Sequence, residues 1–217
     1  MATNTPTKLA IGQIIITALV AVTSKIIKVP RDAFIRAFRA LADAEAAVTK
    51  ADALVEKETA LCVAADEEQD RAAIDLATKM SGDGYGRLNP FKSFGVDNPS
   101  KLCGMGDVTE AEIAIGLCAR VIVHPKSSPA TKKAAATLDR AAKKVKEAAP
   151  PRRKALEARA AAVDHRDGEL QREYAVALAN LRAAVKYADY VENTAHYLNV
   201  FPRVPKTKKK QVAEPVS

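Results

Sequence analysis

Residues 31–80 read RDAFIRAFRALADAEAAVTKADALVEKETALCVAADEEQDRAAIDLATKM and contain neither Pro nor Gly. A seven-residue register holds through the whole run. Its first position carries Phe34, Leu41, Val48, Val55, Cys62, Gln69 and Leu76. Three residues after each come Ala37, Ala44, Ala51, Glu58, Ala65, Ala72 and Lys79. Large and small side chains therefore alternate along one seam at a mean spacing of 3.5 residues, the pattern of a helix built to lie against another helix. Alanine on the seam lets the partner approach closely. Pro30 and Asp32 suit the start of this helix, where a missing N–H costs nothing and a carboxylate meets the positive helix end. The run Ser81-Gly82-Asp83-Gly84-Tyr85-Gly86 ends it.

A second arm is expected from about Arg152 to Leu198. Its seam reads Leu156, Ala160, Val163, Asp167, Leu170, Tyr174, Ala177, Leu181, Ala184, Ala188, Val191, Ala195 and Leu198. Asp167 is its one charged member and Gly168 adjoins it. Each arm is about 75 Å long at about 1.5 Å per residue. Equal lengths suit an antiparallel hairpin with Leu76 near Leu156 and Phe34 near Leu198. The first arm holds 7 basic and 11 acidic groups, the second 8 and 7, so pairing is not opposed by charge. The expected fold is all-α: a long antiparallel helical hairpin, an Ala-rich coiled coil, over residues 31–198.

Composition supports this. Alanine supplies about a fifth of the 217 residues, aromatic types only 5%, and Trp is absent. Such a chain builds a thin core from small side chains. Apolar types at 48% and charged types at 28% exclude a disordered polyelectrolyte.

Between the arms, residues 81–107 are rich in Gly, Pro and Asn and read as a loop. Thr109-Glu110-Ala111-Glu112 has the form of a capping box, opening a short apolar helix that ends before Pro125. Ser128-Pro129 then caps a basic amphipathic helix, placed at 126–151 and stopped by Pro150-Pro151. Ala134, Leu138, Ala141, Val145 and Ala148 share one face of it. Lys132, Lys133, Arg140, Lys143, Lys144 and Lys146 share the other, and Arg152, Arg153 and Lys154 follow. Residues 126–154 carry 10 basic groups against 2 acidic ones. The stretch SSPATKKAAATLDRAAKKVKEAAP resembles Ala/Lys-rich nucleoid and linker-histone tails in composition. That resemblance implies salt-dependent, sequence-independent contact with duplex phosphates. Residues 199–217 are expected to be a disordered basic tail, with Lys208, Lys209 and Lys210 adding to the same charge.

Residues 1–30 form an apolar N-terminal segment. Leu9–Ser24 reads as a packed helix, with a transmembrane segment, a signal peptide and a strand as the competing readings. The span between Lys8 and Lys25 reaches only about 24 Å as a helix, short of a hydrocarbon core of about 30 Å.

Chemistry is sparse at this level. Cys62, Cys103 and Cys118 form no CxxC pair, so neither a disulfide framework nor a zinc site is indicated. They fit a reducing compartment, and the expected location is cytoplasmic or, if residues 9–29 meet lipid, membrane-associated. Asp83, Asp97 and Asp107 have no calcium-loop spacing. His124, His165 and His196 read as exposed residues, and no ExxH, HExxH or GxSxG occurs. Asp167 is the one candidate buried polar group. No catalytic residue, cofactor or metal is expected. The function read from sequence is a non-enzymatic structural or protein-interaction protein, able to self-associate. Binding to nucleic acid and membrane tethering through residues 9–29 are the alternatives.

Overall fold

The computed structural model describes residues 5–96, 98–103 and 107–201, without the side chain of Asp107. Seven α-helices occur among them: α1 Thr5–Leu19, α2 Lys28–Gly82, α3 Pro99–Leu102, α4 Asp107–Val123, α5 Pro129–His165, α6 Gln171–Glu192 and α7 His196–Val200. A π-helical turn, Arg166–Leu170, joins α5 directly to α6. No strand occurs among the described residues. The long helix α2 packs against the return run α5–α6, the helical hairpin expected from the seams. The chain divides into two compact units. One comprises residues up to Ala47 with those from Asp164 onward; the other is Val48–Val163.

The α2 seam lies where its spacing places it. Phe34, Leu41, Val48, Cys62, Gln69 and Leu76 are buried and Val55 is half-buried. The helix ends in a Schellman turn: Tyr85 N–H donates to Met80 O at 3.1 Å and Gly84 N–H to Ser81 O at 3.2 Å. Gly84 has φ +82°, a conformation that glycine adopts without strain.

The return run departs from expectation. Its helix does not stop at Pro150-Pro151 but continues from Pro129 to His165. Two interior prolines remove the donors that would reach the carbonyls of Lys146 and Glu147. Both of those residues and both prolines are exposed, so water can satisfy the freed carbonyls, while Leu138, Val145 and Ala155 hold the helix to its neighbours on either side. The return arm thus starts over twenty residues earlier than the prolines suggested, and the pairing register moves with it. In the first unit, Phe34 meets Tyr174, with ring centroids 5.6 Å apart, and Glu45 pairs with Arg166 at 2.8 Å. In the second, Asp52 pairs with Arg159 and Glu68 with Lys144 at 2.8 Å. These partners run antiparallel, but Phe34 does not face Leu198, which is exposed.

Asp167 is not buried. The π-turn inserts one extra residue, so the buried stripe before it runs one position earlier than a heptad traced back from Leu170. Ala155 is buried while Leu156 is 45% exposed, and Arg166 rather than Asp167 turns inward. Arg166 donates to both Asp167 oxygens, at 2.7 and 2.9 Å, and to Glu45 at 2.8 Å. That bidentate bond holds the Asp167 carboxyl below its usual range.

The second arm also ends early. Asn193 takes the left-handed conformation, φ 51°, and α6 stops at Glu192. Asp189 then accepts hydrogen bonds from Thr194 Oγ1 (2.7 Å), His196 N–H (2.9 Å) and Tyr197 N–H (2.8 Å). The resulting turn buries Val200 and Phe201 and leaves Val191, Ala195 and Leu198 exposed.

The core of the first unit gathers Ile15 and Leu19 of α1, Phe34 and Leu41 of α2, and Tyr174, Leu181 and Val185 of α6. The N-terminal apolar segment is therefore a packed helix ending at Leu19, followed by a connector that buries Val22 and Ile27. No helix of the described residues is long and apolar enough to cross a membrane. Close approach of α1 depends on Gly12. A Cβ there would lie 2.5 Å from Phe38 Cδ2 and 3.2 Å from Tyr174 Oη. Gly12→Ala is expected to lower stability by ~1–3 kcal/mol through overpacking. Gly116 lies inside α4 with nothing within 4 Å of its Cβ position, so Gly116→Ala is expected to raise stability by ~0.5–1 kcal/mol. Urea unfolding of the two variants checks both signs.

In the second unit, Leu76 and Met80 of α2 pack with Phe91, Phe94, Leu102, Leu117 and Val121 of the middle segment and Leu138 and Val145 of α5. Ser128 caps α5 as read from sequence, its Oγ accepting from Thr131 N–H at 3.3 Å. The capping box at Thr109 does not form. Thr109 is already inside α4, and Glu110 turns into the core. Nor is His124 an exposed helix residue. It is half-buried, with Nδ1 2.7 Å from Tyr85 Oη and its ring edge-on to Phe94 at 5.3 Å. His165 is exposed at the end of α5, and His196 is half-buried at the start of α7.

Candidate functional site

The most unusual chemistry in the molecule sits in the second unit, where α2, the end of α3 and the first turn of α4 meet. Gln69 and Asp70 stand side by side on α2. Glu110 enters from α4, and Cys103 is the residue that closes α3. Gln69 occupies a seam position that a hydrophobic residue would normally fill and is 1% exposed; Glu110 is 2% exposed. Gln69 Nε2 donates to Glu110 Oε1 at 2.5 Å. One ligand atom from each of Asp70, Cys103 and Glu110 lies within 4.8 Å of the other two. Two oxygens in the cluster, Gln69 Oε1 and Asp70 Oδ1, are buried without a hydrogen-bond partner.

Burial, with the charges of Asp70 and Asp66, raises the Glu110 carboxyl to about 7, against the opposing bond from Gln69. Burial and a hydrogen bond to Asp70 push the Cys103 thiol up to about 12. Cys118 also rises to about 12, chiefly through burial. Neither thiol is an activated nucleophile, because the thiolate is the reactive form and both environments oppose it. The cluster is equipped to hold a proton or a cation.

Spacing hides this cluster in the sequence. Its members fall at 69–70, 103 and 110, on separate elements, and match no short motif. The one available signal was a Gln among the otherwise apolar first positions of the seam, which invites a buried polar partner.

The basic residues singled out from sequence fall on one continuous helix, α5, apart from those of the tail. Lys133, Arg140, Lys143, Lys144, Lys146, Arg153 and Lys154 are exposed and Lys132 is half-buried. Several are engaged within the fold. Lys143 pairs with Asp139 at 2.6 Å, Lys144 with Glu68 at 2.8 Å, Lys146 with Glu112 at 3.0 Å and Arg153 with Glu157 at 3.8 Å. Arg152 lies seven residues beyond Val145 and continues the buried stripe; its Nε is buried. Lys208, Lys209 and Lys210, and the expected disordered tail beyond Phe201, lie outside the described residues.

In the first unit, α6 exposes Tyr187 (61%), Tyr190 (86%) and Val191 (53%). Their spacing of three and four residues sets them on one helix face. No family model, curated protein or solved structure matches the chain.

Proposed function

We propose that the chain is a non-enzymatic structural or protein-interaction protein that self-associates through the exposed aromatic face of α6. The observation that carries this reading is the Tyr187–Tyr190–Val191 stripe. Two tyrosines standing in water on one helix face bury large area at little entropic cost once covered, which is why such residues anchor interfaces. A shallow groove of about 490 Å³ in the same unit, lined by Ala33, Ala37, Ala40 and Val176 together with Arg36, Arg172, Glu173 and Asn180, is open to a side chain from outside. The small α2 side chains there leave room for a side chain from outside.

Sedimentation or light scattering over a range of concentrations tests it. The full chain is expected to be an oligomer at micromolar concentration. Tyr187→Ser with Tyr190→Ser is expected to shift it to monomer with unchanged helicity. A chain that stays monomeric at the highest soluble concentration overturns self-association.

A second reading is contact with duplex phosphates. Its support is that Lys133, Arg140 and Lys154 are exposed along α5, spread over about 30 Å of helix. Against it, Asp139, Glu68 and Glu112 already neutralise three lysines of the face. Absence of duplex binding at ~50 mM salt, where a cluster of phosphate contacts is strongest, would sink it. Tethering through residues 9–29 has the least support, since Ile15, Leu19, Val22 and Ile27 are already spent on the protein core.

A further inference from the structure

We propose that Asp70, Cys103 and Glu110 form a binding site for one divalent transition-metal ion of the zinc class. The inference is independent of the self-association reading and rests on three observations. The donor atoms of the three residues already lie within 4.8 Å of one another. They come from α2, α3 and α4, so an ion there would tie three elements of the second unit together. And Gln69, 1% exposed and already bonded to Glu110, leaves its Oε1 buried without a partner, as Asp70 leaves Oδ1. A buried carboxylate oxygen with no donor is costly. A cation held between Asp70, Cys103 and Glu110 removes that cost for the Asp70 carboxylate.

The donor set selects the class of ion. A thiolate with two carboxylates suits zinc or cobalt, whereas magnesium and calcium take oxygen ligands alone. Metal–ligand bonds of ~2.0–2.3 Å set tetrahedral donors ~3.3–3.8 Å apart, inside the 4.8 Å limit within which these three atoms lie. Binding converts the Cys103 thiol to a thiolate and takes any proton from Glu110. Those protons leave to solvent, and the ion gains the three bonds. Affinity must therefore fall as pH falls. Asp66, one turn before Asp70 on α2, adds negative charge beside the site.

Cobalt provides the test, because a thiolate ligand gives Co²⁺ an intense near-ultraviolet charge-transfer band. The full chain is stripped with a chelator, kept reduced and titrated with Co²⁺ at neutral pH. A band saturating at one ion per chain is expected. Cys103→Ser should abolish it, while Cys118→Ser keeps it. Asp70→Asn and Glu110→Gln should weaken binding tenfold or more. Zn²⁺ should displace the cobalt and raise the melting temperature of the parent chain, but not that of Asp70→Asn. Circular dichroism establishes that each variant is folded. Should Cys103→Ser fail to fold, Asp70→Asn decides by the same band. No band at saturating Co²⁺, a band that survives Cys103→Ser, or equal affinity in folded Asp70→Asn overturns the site.

Discussion

Phe34→Ala is expected to destabilise the protein by ~3–5 kcal/mol, the range for removing a large buried ring. Phe34 has no solvent exposure. Its ring meets Tyr174 at 5.6 Å and Phe38 at 6.5 Å between centroids. The cost of such a deletion depends on how far neighbours can collapse into the space. Here the flanking seam residues Ala37 and Ala177 are too short to reach across, so the upper part of the range is expected. Ile74→Ala provides the contrast, since Ile74 is 58% exposed and its loss should fall within ~0.5 kcal/mol. Urea midpoints with an unchanged slope measure both. Equal effects for the two variants would contradict the placement of Phe34 in the core.

Glu110→Gln is expected to stabilise the metal-free chain above neutrality and to flatten its pH dependence. Burial raises the folded-state carboxyl to about 7, against 4.5 for an unstrained one. Between those values the folded chain binds a proton that the unfolded chain releases. Stability is therefore greatest below the unfolded value and declines as pH rises through about 7. A shift of this size corresponds to about 3 kcal/mol at about 1.36 kcal/mol per pKa unit. Glutamine keeps the shape and the contact with Gln69 but has no proton to lose. Asp83, Asp167 and Asp189 act in the opposite sense. Their carboxyls are lowered below 3.8, so what they contribute is present above that value and lost in stronger acid. The two windows do not overlap. Denaturation at a series of pH values from 4 to 8, with chelator present, should show the parent falling and Glu110→Gln level. Parallel curves would show that Glu110 does not carry the effect.

The seam of α2 was legible because nothing interrupts it. Without Pro or Gly between residues 31 and 80, periodicity alone says which side chains face inward, and Phe34, Leu41, Cys62 and Leu76 do. The second seam was legible only from Leu170 to Ala188. Before it, the π-turn shifts the stripe by one residue; after it, the Asp189 turn folds the chain back. Neither device has a strong local signature. The prolines at 150 and 151 misled for a related reason. Proline inside a helix costs a backbone bond and crowds the preceding turn; here the freed carbonyls face water and packing on both sides of the prolines holds the helix together.

Of the candidate site, only Gln69 could have been noticed in advance. A glutamine on an apolar seam marks a place where something polar must answer it. That the answer is Glu110, with Cys103 and Asp70 beside it, depends on how α3 and α4 dock on α2.

The sequence by itself determined that this chain is helical, where its first long helix buries its face, and that no familiar catalytic motif is present. These follow from interactions within a few turns of chain. The tertiary structure alone decided the pairing register, the fate of the two prolines and the meeting of an acid pair with a thiol. Those outcomes turn on which surfaces face water once the helices are packed, and residues far apart in sequence settle that together.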